Sequence, residues 1–99
     1  MSSIYHITTR KEWEEAQEKG YYAASSLAAE GFMHCSTEDQ VAGVLDRYFK
    51  GKTDLVKLTI DKALVERPLV FELASSVNEL FPHIYGSLNI NAVIEVTYL

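Results

Sequence analysis

Disulfide chemistry is missing from this sequence. Cys35 is the one cysteine in 99 residues, so no intrachain bridge can form. A small domain that stands without such staples fits a reducing compartment, and cytoplasm is the expected location. Positive charge is also scarce: 9 Lys and Arg against 14 Asp and Glu leave a net charge of −5. That sign repels a phosphate backbone and an anionic lipid surface. General nucleic-acid and membrane binding are therefore not expected, although a local cradle could still hold a small phosphorylated ligand. No apolar run approaches the roughly 18 residues of a membrane span. Met1-Ser2-Ser3 leads straight into a strand-like run, without the basic and apolar pattern of a leader. Linkers and low-complexity tracts are absent too, so residues 1–99 are expected to fold as one domain around one core.

What is there reads as alternating elements. Residues 3–8 form a strand with the β-formers Ile4, Tyr5 and Ile7. Thr9 with Glu12 three residues on has the spacing of a capping box. The helix it starts would run through Trp13 and Ala16 and stop near Gly20. A short apolar strand follows at 31–35, and Thr37 with Gln40 makes a second capping box. Val41, Val44, Leu45, Tyr48 and Phe49 then fall at i, i+3, i+4, i+7 and i+8, one apolar helical stripe that ends at Gly51. Val56, Leu58 and Ile60 alternate with polar neighbours, and so do Ile94, Val96 and Tyr98 near the end of the chain; both read as strands. Leu69, Phe71 and Leu73 read as another, after Pro68. The stretch 74–91 reads as a long, functional loop. The fold class is α+β: one twisted, mainly antiparallel sheet of about five or six strands carrying two helices. The early strand–helix–strand–helix order could add one parallel pair.

Chemistry concentrates on three histidines. The pattern His-x-[Ser/Thr]-Thr occurs twice, as His6-Ile7-Thr8-Thr9 and His34-Cys35-Ser36-Thr37. Each places an imidazole at a strand end just before a helix cap. A helix N-terminus offers unpaired N–H groups and a positive dipole end, which suit a phosphate or carboxylate. An imidazole beside it can bind a ribose hydroxyl or move a proton near neutral pH. On this reading Thr8, Ser36 and Thr37 bind ligand, although capping alone accounts for Thr9 and Thr37. The third imidazole lies in Leu80-Phe81-Pro82-His83-Ile84-Tyr85-Gly86, an apolar-walled turn with Tyr85 available to stack or to hydrogen-bond.

Three chemistries compete for these residues. A three-histidine metal site lacks any i, i+4 pair or CxxC, so no metal is expected. Cys35 could be a nucleophile with His6 or His83 as its base. Yet it alternates with His34 along a strand, so if His34 faces a site Cys35 faces the core. The third option is a nucleotide or sugar-phosphate pocket built from the two strand ends and residues 81–86. Acid–base work there wants a carboxylate, and Glu72, Glu79 and Glu95 are the candidates.

Three blocks, Ile4-Tyr5-His6-Ile7-Thr8, Glu30-Gly31-Phe32-Met33-His34-Cys35-Ser36-Thr37 and Leu80-Phe81-Pro82-His83-Ile84-Tyr85-Gly86, together resemble the domain of unknown function 952 family. Thr53-Asp54-Leu55-Val56 also fits, and the resemblance covers nearly the whole chain. It implies a fold like that of the ADP-ribosyltransferase superfamily, which includes RNA 2′-phosphotransferases. Tyr5-His6-Ile7-Thr8 resembles that superfamily's first motif, whose histidine contacts the ribose of NAD. By that analogy His6 binds ribose, and Tyr85 or Tyr22 would stack on nicotinamide. Two departures stand out. No late-strand glutamate can be assigned, and Arg10, Arg47 and Arg67 are the only arginines for a 2′-phosphate.

The resulting expectation is a pocket for NAD or a related ADP-ribosyl ligand, held as substrate and not as a resident cofactor. His6, His34 and His83 would act in it. The alternatives are a non-catalytic binding or interaction module and a metal-dependent hydrolase. Nothing in the sequence sets the oligomeric state.

Overall fold

In the computed structural model, which describes residues 2–99, the chain runs in the order β1 (Ser3–Thr9), α1 (Arg10–Lys19), β2 (Tyr21–Tyr22), α2 (Ser25–Glu30), β3 (Met33–His34), α3 (Val41–Tyr48), β4 (Leu55–Asp61), β5 (Leu69–Ala74), β6 (Glu79–Ile84), β7 (Leu88–Asn89) and β8 (Val93–Tyr98). The architecture is α+β with antiparallel pairing. Instead of one sheet of five or six strands there are three small ones, ordered β1-β4-β8, β2-β7 and β3-β6-β5. Every ladder among the described residues is antiparallel, so the parallel pair does not form. Where β1 meets the chain after β3, it does so through an antiparallel bridge between Tyr5 and Ser36.

Local chemistry explains most of the frame. In β4 the alternate residues Val56, Leu58 and Ile60 are fully buried, as the period of two demands for a strand flanked on both edges. α1 starts where the Glu12 N–H donates to the Thr9 hydroxyl at 3.1 Å. It ends at Gly20, in the left-handed region at φ 89°, whose N–H returns to the Ala16 carbonyl. Trp13 and Ala16 bury its inner stripe. The core gathers Ile4, Trp13, Met33, Cys35, Leu58, Ile84 and Leu88 between the two three-stranded sheets and α1.

Four expectations need correction. A third helix, α2, lies between the two predicted ones; none of its residues is buried, so it carries no apolar stripe to read. The second predicted helix opens as a 3-10 turn over Glu38–Gln40 and becomes α-helical from Val41. Of its stripe only Val44 is buried, and Tyr48 is 58% exposed. The stretch 74–91 is not a loop: it holds β6, β7 and a 3-10 turn at Ile90–Ala92. Finally, the apolar residues Phe71 and Leu73 that mark β5 in the sequence are exposed, while Glu72 is partly covered. Beyond the core end of the hairpin, their face meets solvent.

No helix among the described residues is long and apolar enough to cross a membrane.

Candidate functional site

The bridge between Tyr5 and Ser36 brings the two His-x-[Ser/Thr]-Thr turns side by side. Tyr5 N–H donates to the Ser36 carbonyl at 2.8 Å, and Ser36 N–H returns to the Tyr5 carbonyl at 2.7 Å. His6 on β1 then reaches the backbone of the next repeat: its Nδ1 lies 2.7 Å from the His34 carbonyl oxygen. A carbonyl can only accept, so Nδ1 carries the proton. Nε2 is therefore the acceptor, and the Tyr22 hydroxyl donates to it at 2.8 Å. Burial lowers the His6 pKa to about 4, against the opposing effect of the bond to His34. His6 is thus a neutral strut with both nitrogens engaged inside the protein. Neither is free for a metal or for ribose in this arrangement.

His34 and His83 sit opposite each other in the β3–β6 ladder. Cross-strand partners point to the same face, and the His34 Nδ1 lies 3.4 Å from the His83 Nε2. The other side of His83 is anchored. Its Nδ1 is 2.7 Å from the Glu72 Oε1, and the Tyr85 hydroxyl donates to that same oxygen at 2.5 Å. The bonds from Tyr85 and His83 hold the Glu72 carboxyl below its usual range, while the bond to Glu72 raises Tyr85. Phe32 stacks on the His83 ring at 4.0 Å between centroids. Burial, then the neighbouring His83, lowers the His34 pKa. Its Nε2 is buried and has no partner, alone in this among the described side-chain nitrogens and oxygens.

All three imidazoles line one cleft of about 650 Å3. One wall is the end of β1 with the first turn of α1: Thr8, Thr9 and Glu12. A second comes from α2 and the residues after it, with Ser26, Glu30 and Phe32. The third is the end of α3 and its continuation, Tyr48, Phe49 and Lys52. Its charged side chains are therefore Glu12, Glu30 and Lys52.

The other predicted site residues divide. Thr8 and Ser36 line the cleft and are buried. Tyr22 lines it as well, but its ring is 3% exposed and its hydroxyl is spent on His6, so it offers no stacking face. Tyr85 and Thr37 are not part of the wall; the Thr37 hydroxyl donates to Asp39 and its N–H to the Gln40 side chain. Glu79 and Glu95 also lie off the cleft, and Glu72 meets it only through His83. Cys35 faces the core, 1% exposed, with burial raising its thiol. The alternation with His34 holds.

The helix N-termini differ from the anion cradles expected. At α1 the Glu12 carboxylate accepts from the Thr8 and Thr9 hydroxyls at 2.8 and 3.1 Å, which puts a negative charge where a phosphate would sit. Glu12, Ser26, Glu30, Phe32, Tyr48, Phe49 and Lys52 are among the cleft residues that the sequence reading missed. Glu12 carried a visible signal, since the spacing that makes it a cap also folds it back beside Thr8. Among the described residues no group of three or more His, Cys, Asp or Glu side chains is arranged to hold a metal ion.

A family model described as "Protein of unknown function (DUF952)" matches residues 7–96. No curated protein matches the chain. Among solved structures it is similar to protein CC0527 from Caulobacter crescentus. The crystal structure of that protein is 28% identical over 97% of this chain and 84% of that one, with a TM-score of 0.89. Its double-substituted crystal form gives 0.88 at the same identity and coverage. The solution NMR structure is 29% identical over 100% of this chain and 85% of that one, at 0.85.

Proposed function

The chain belongs to the DUF952 family, and from the geometry of its cleft we propose that it binds a small nucleotide-type ligand there, with NAD or another ADP-ribosyl compound as the leading class. The observation that carries this is that His34, whose buried Nε2 has no partner, lines a cleft that all three histidines share. Leaving a buried polar atom unpaired costs about 1–3 kcal/mol. A guest hydroxyl that supplies the missing bond recovers that cost, and a ribose has hydroxyls to give. The volume falls in the ordinary range for small-ligand sites. The aromatic rings available to a base or a pyridine ring are Tyr48 and Phe49, in place of Tyr22 and Tyr85.

An ADP-ribosyltransferase-like ancestry belongs to the same proposal. It rests on Tyr5-His6-Ile7-Thr8, which places His6 and Thr8 in the cleft, although His6 acts there by holding the His34 backbone.

Titration of NAD and of ADP-ribose, followed by NMR of the imidazoles, tests the reading. Saturable shifts at His34 and His83 are expected, with a smaller one at His6. Ligands of this class are ruled out if none of the three moves.

A non-catalytic binding module is the second reading, and one observation favours it. The Glu12 carboxylate is already engaged by two threonines, which leaves Glu30 as the other carboxylate on the wall. Measurable cleavage of either compound, lost in His34→Ala, would decide against it.

A further inference from the structure

We propose that Glu72, His83 and His34 form a proton relay, in which Glu72 fixes the tautomers of both imidazoles so that the unpartnered nitrogen of His34 is a base. The inference deepens the reading of the cleft as a ligand site, and adds to it a positioning residue and a direction for proton movement.

The argument follows from which atoms can donate. Glu72 is an ionised acceptor, so the His83 Nδ1, 2.7 Å away, carries a proton. When His83 is neutral its Nε2 is then a bare lone pair. The His34 Nδ1, 3.4 Å from that lone pair, must be the donor for a hydrogen bond to form between them. A neutral His34 protonated at Nδ1 leaves Nε2 bare, and that is the buried atom without a partner. Both rings are thereby held in the Nδ1–H form, the less common tautomer of a free imidazole. The carboxylate at the outer end selects it, two rings away from the bare His34 Nε2.

The relay also has somewhere to put a proton. A guest O–H or N–H gives its proton to the His34 Nε2 and becomes its conjugate anion. The His34 Nδ1 proton passes to the His83 Nε2. His34 ends neutral and protonated at Nε2, and His83 ends as an imidazolium beside the Glu72 carboxylate. No proton is created or lost, and the positive charge rests next to the one carboxylate placed to stabilise it. Tyr85 donates to the same oxygen of Glu72, and that holds the carboxylate in position without a second acid–base group in the path. The titratable and charged groups facing His34 are His6 on β1, Glu30 at the end of α2, Arg47 on α3 and His83 on β6. Only His83 among them connects it to solvent through hydrogen bonds.

Nitrogen-15 NMR of the ring nitrogens in the ligand-free protein tests the relay directly. Around neutral pH both His34 and His83 should show a protonated Nδ1 and a bare Nε2. In Glu72→Ala the outer acceptor is gone, and both rings should move toward the Nε2–H form. Glu72→Gln keeps an oxygen that can accept, so the tautomers should persist. Its missing charge removes the stabilisation of an added proton on the histidine pair, so the pair should protonate at a more acidic pH. The amide spectrum reports whether each variant is folded. A proton on the His34 Nε2 in the neutral wild-type protein would overturn the relay. So would unchanged tautomers in a folded Glu72→Ala variant, or an unchanged titration in Glu72→Gln. No ligand enters this experiment, so its outcome is independent of whether NAD-type compounds bind.

Discussion

His6 illustrates how far a single residue can be read. It is visible in the sequence as a chemical anomaly, a polar ring in a β-rich run, but it lies in the middle of β1 and not at the strand end that the pattern suggests. Its role is not visible there, because both partners, the His34 carbonyl and Tyr22, are distant in sequence. The buried neutral ring makes a prediction about acid. Its ordinary pKa is 6.5 and burial brings it to about 4. Between those values the unfolded chain binds a proton that the folded chain refuses, so stability rises with pH through that window and is lost as pH falls. The depression from 6.5 to about 4 is worth about 3 kcal/mol by pH 4. Urea unfolding at pH 7 and at pH 4 should therefore differ by about that much on account of His6, and His6→Ala should be less stable at pH 7 and less sensitive to acid. An equally steep acid response in the variant would assign the effect to other groups. Cys35 gives the complementary case. Strand alternation with His34 was enough to send it to the core, and burial raises its thiol. A thiol reagent should leave the native protein unlabelled and react on unfolding; prompt labelling of the folded form would reopen the nucleophile reading.

At the scale of elements, legibility followed local patterning. β1, α1, β4 and β8 carry an alternation or a cap in their own residues, and all four were found. α2 has no side-chain N-cap and buries none of its residues, so Gly31 at its C-terminus is its one local signal. β2 and β7 are two residues each and exist only through their pairing with one another. β6 was hidden by Pro82, which argues against a strand in the middle of a sheet. The structure resolves the conflict. Pro82 accepts from the Cys35 N–H through its carbonyl, on the side where the β3 ladder has already ended at the pair His34–His83. A strand residue's N and C=O point to the same neighbour. The missing N–H of Pro82 therefore faces Cys35 and not β5: it removes the return bond that would have extended the β3 ladder, while pairing with β5 continues past it to Glu79. The site inherits this, since the register that admits Pro82 is also the one that sets His83 opposite His34. Caps make the measurable prediction at this scale. Thr9 both accepts from the Glu12 N–H and donates to its carboxylate. Thr9→Ala should lower the unfolding free energy by about 1 kcal/mol. A thermal melt would show it, and a change near zero would mean that water replaces the cap at no cost.

For the whole molecule, what matters is that the cleft has no single owner. Its walls come from the ends of β1, α2, β3, β6 and α3, so the sequence could nominate its histidines but not its charge. Charge is what selects a guest. The charged wall residues are two carboxylates, Glu12 and Glu30, and one ammonium, Lys52. An ADP-ribosyl ligand brings a pyrophosphate with two negative charges, and of these three groups only Lys52 attracts it. The carboxylates favour the other end of NAD, where the pyridine ring bonded to ribose is cationic. The molecule should therefore hold NAD more tightly than ADP-ribose, which has the pyrophosphate but lacks that cation. Exposed or half-exposed charge pairs are worth about 0.2–1 kcal/mol each. Isothermal titration at low salt should thus show Lys52→Ala weakening both ligands by about two- to fivefold. Glu30→Gln should tighten ADP-ribose while leaving NAD unchanged or weaker. All of these differences should shrink as salt is added, because screening acts on open clefts. If Lys52→Ala has no effect at low salt, the pyrophosphate does not lie against the α3 wall. If Glu30→Gln acts equally on both ligands, then Glu30 does not face the pyridine ring, and the orientation of the guest is reversed.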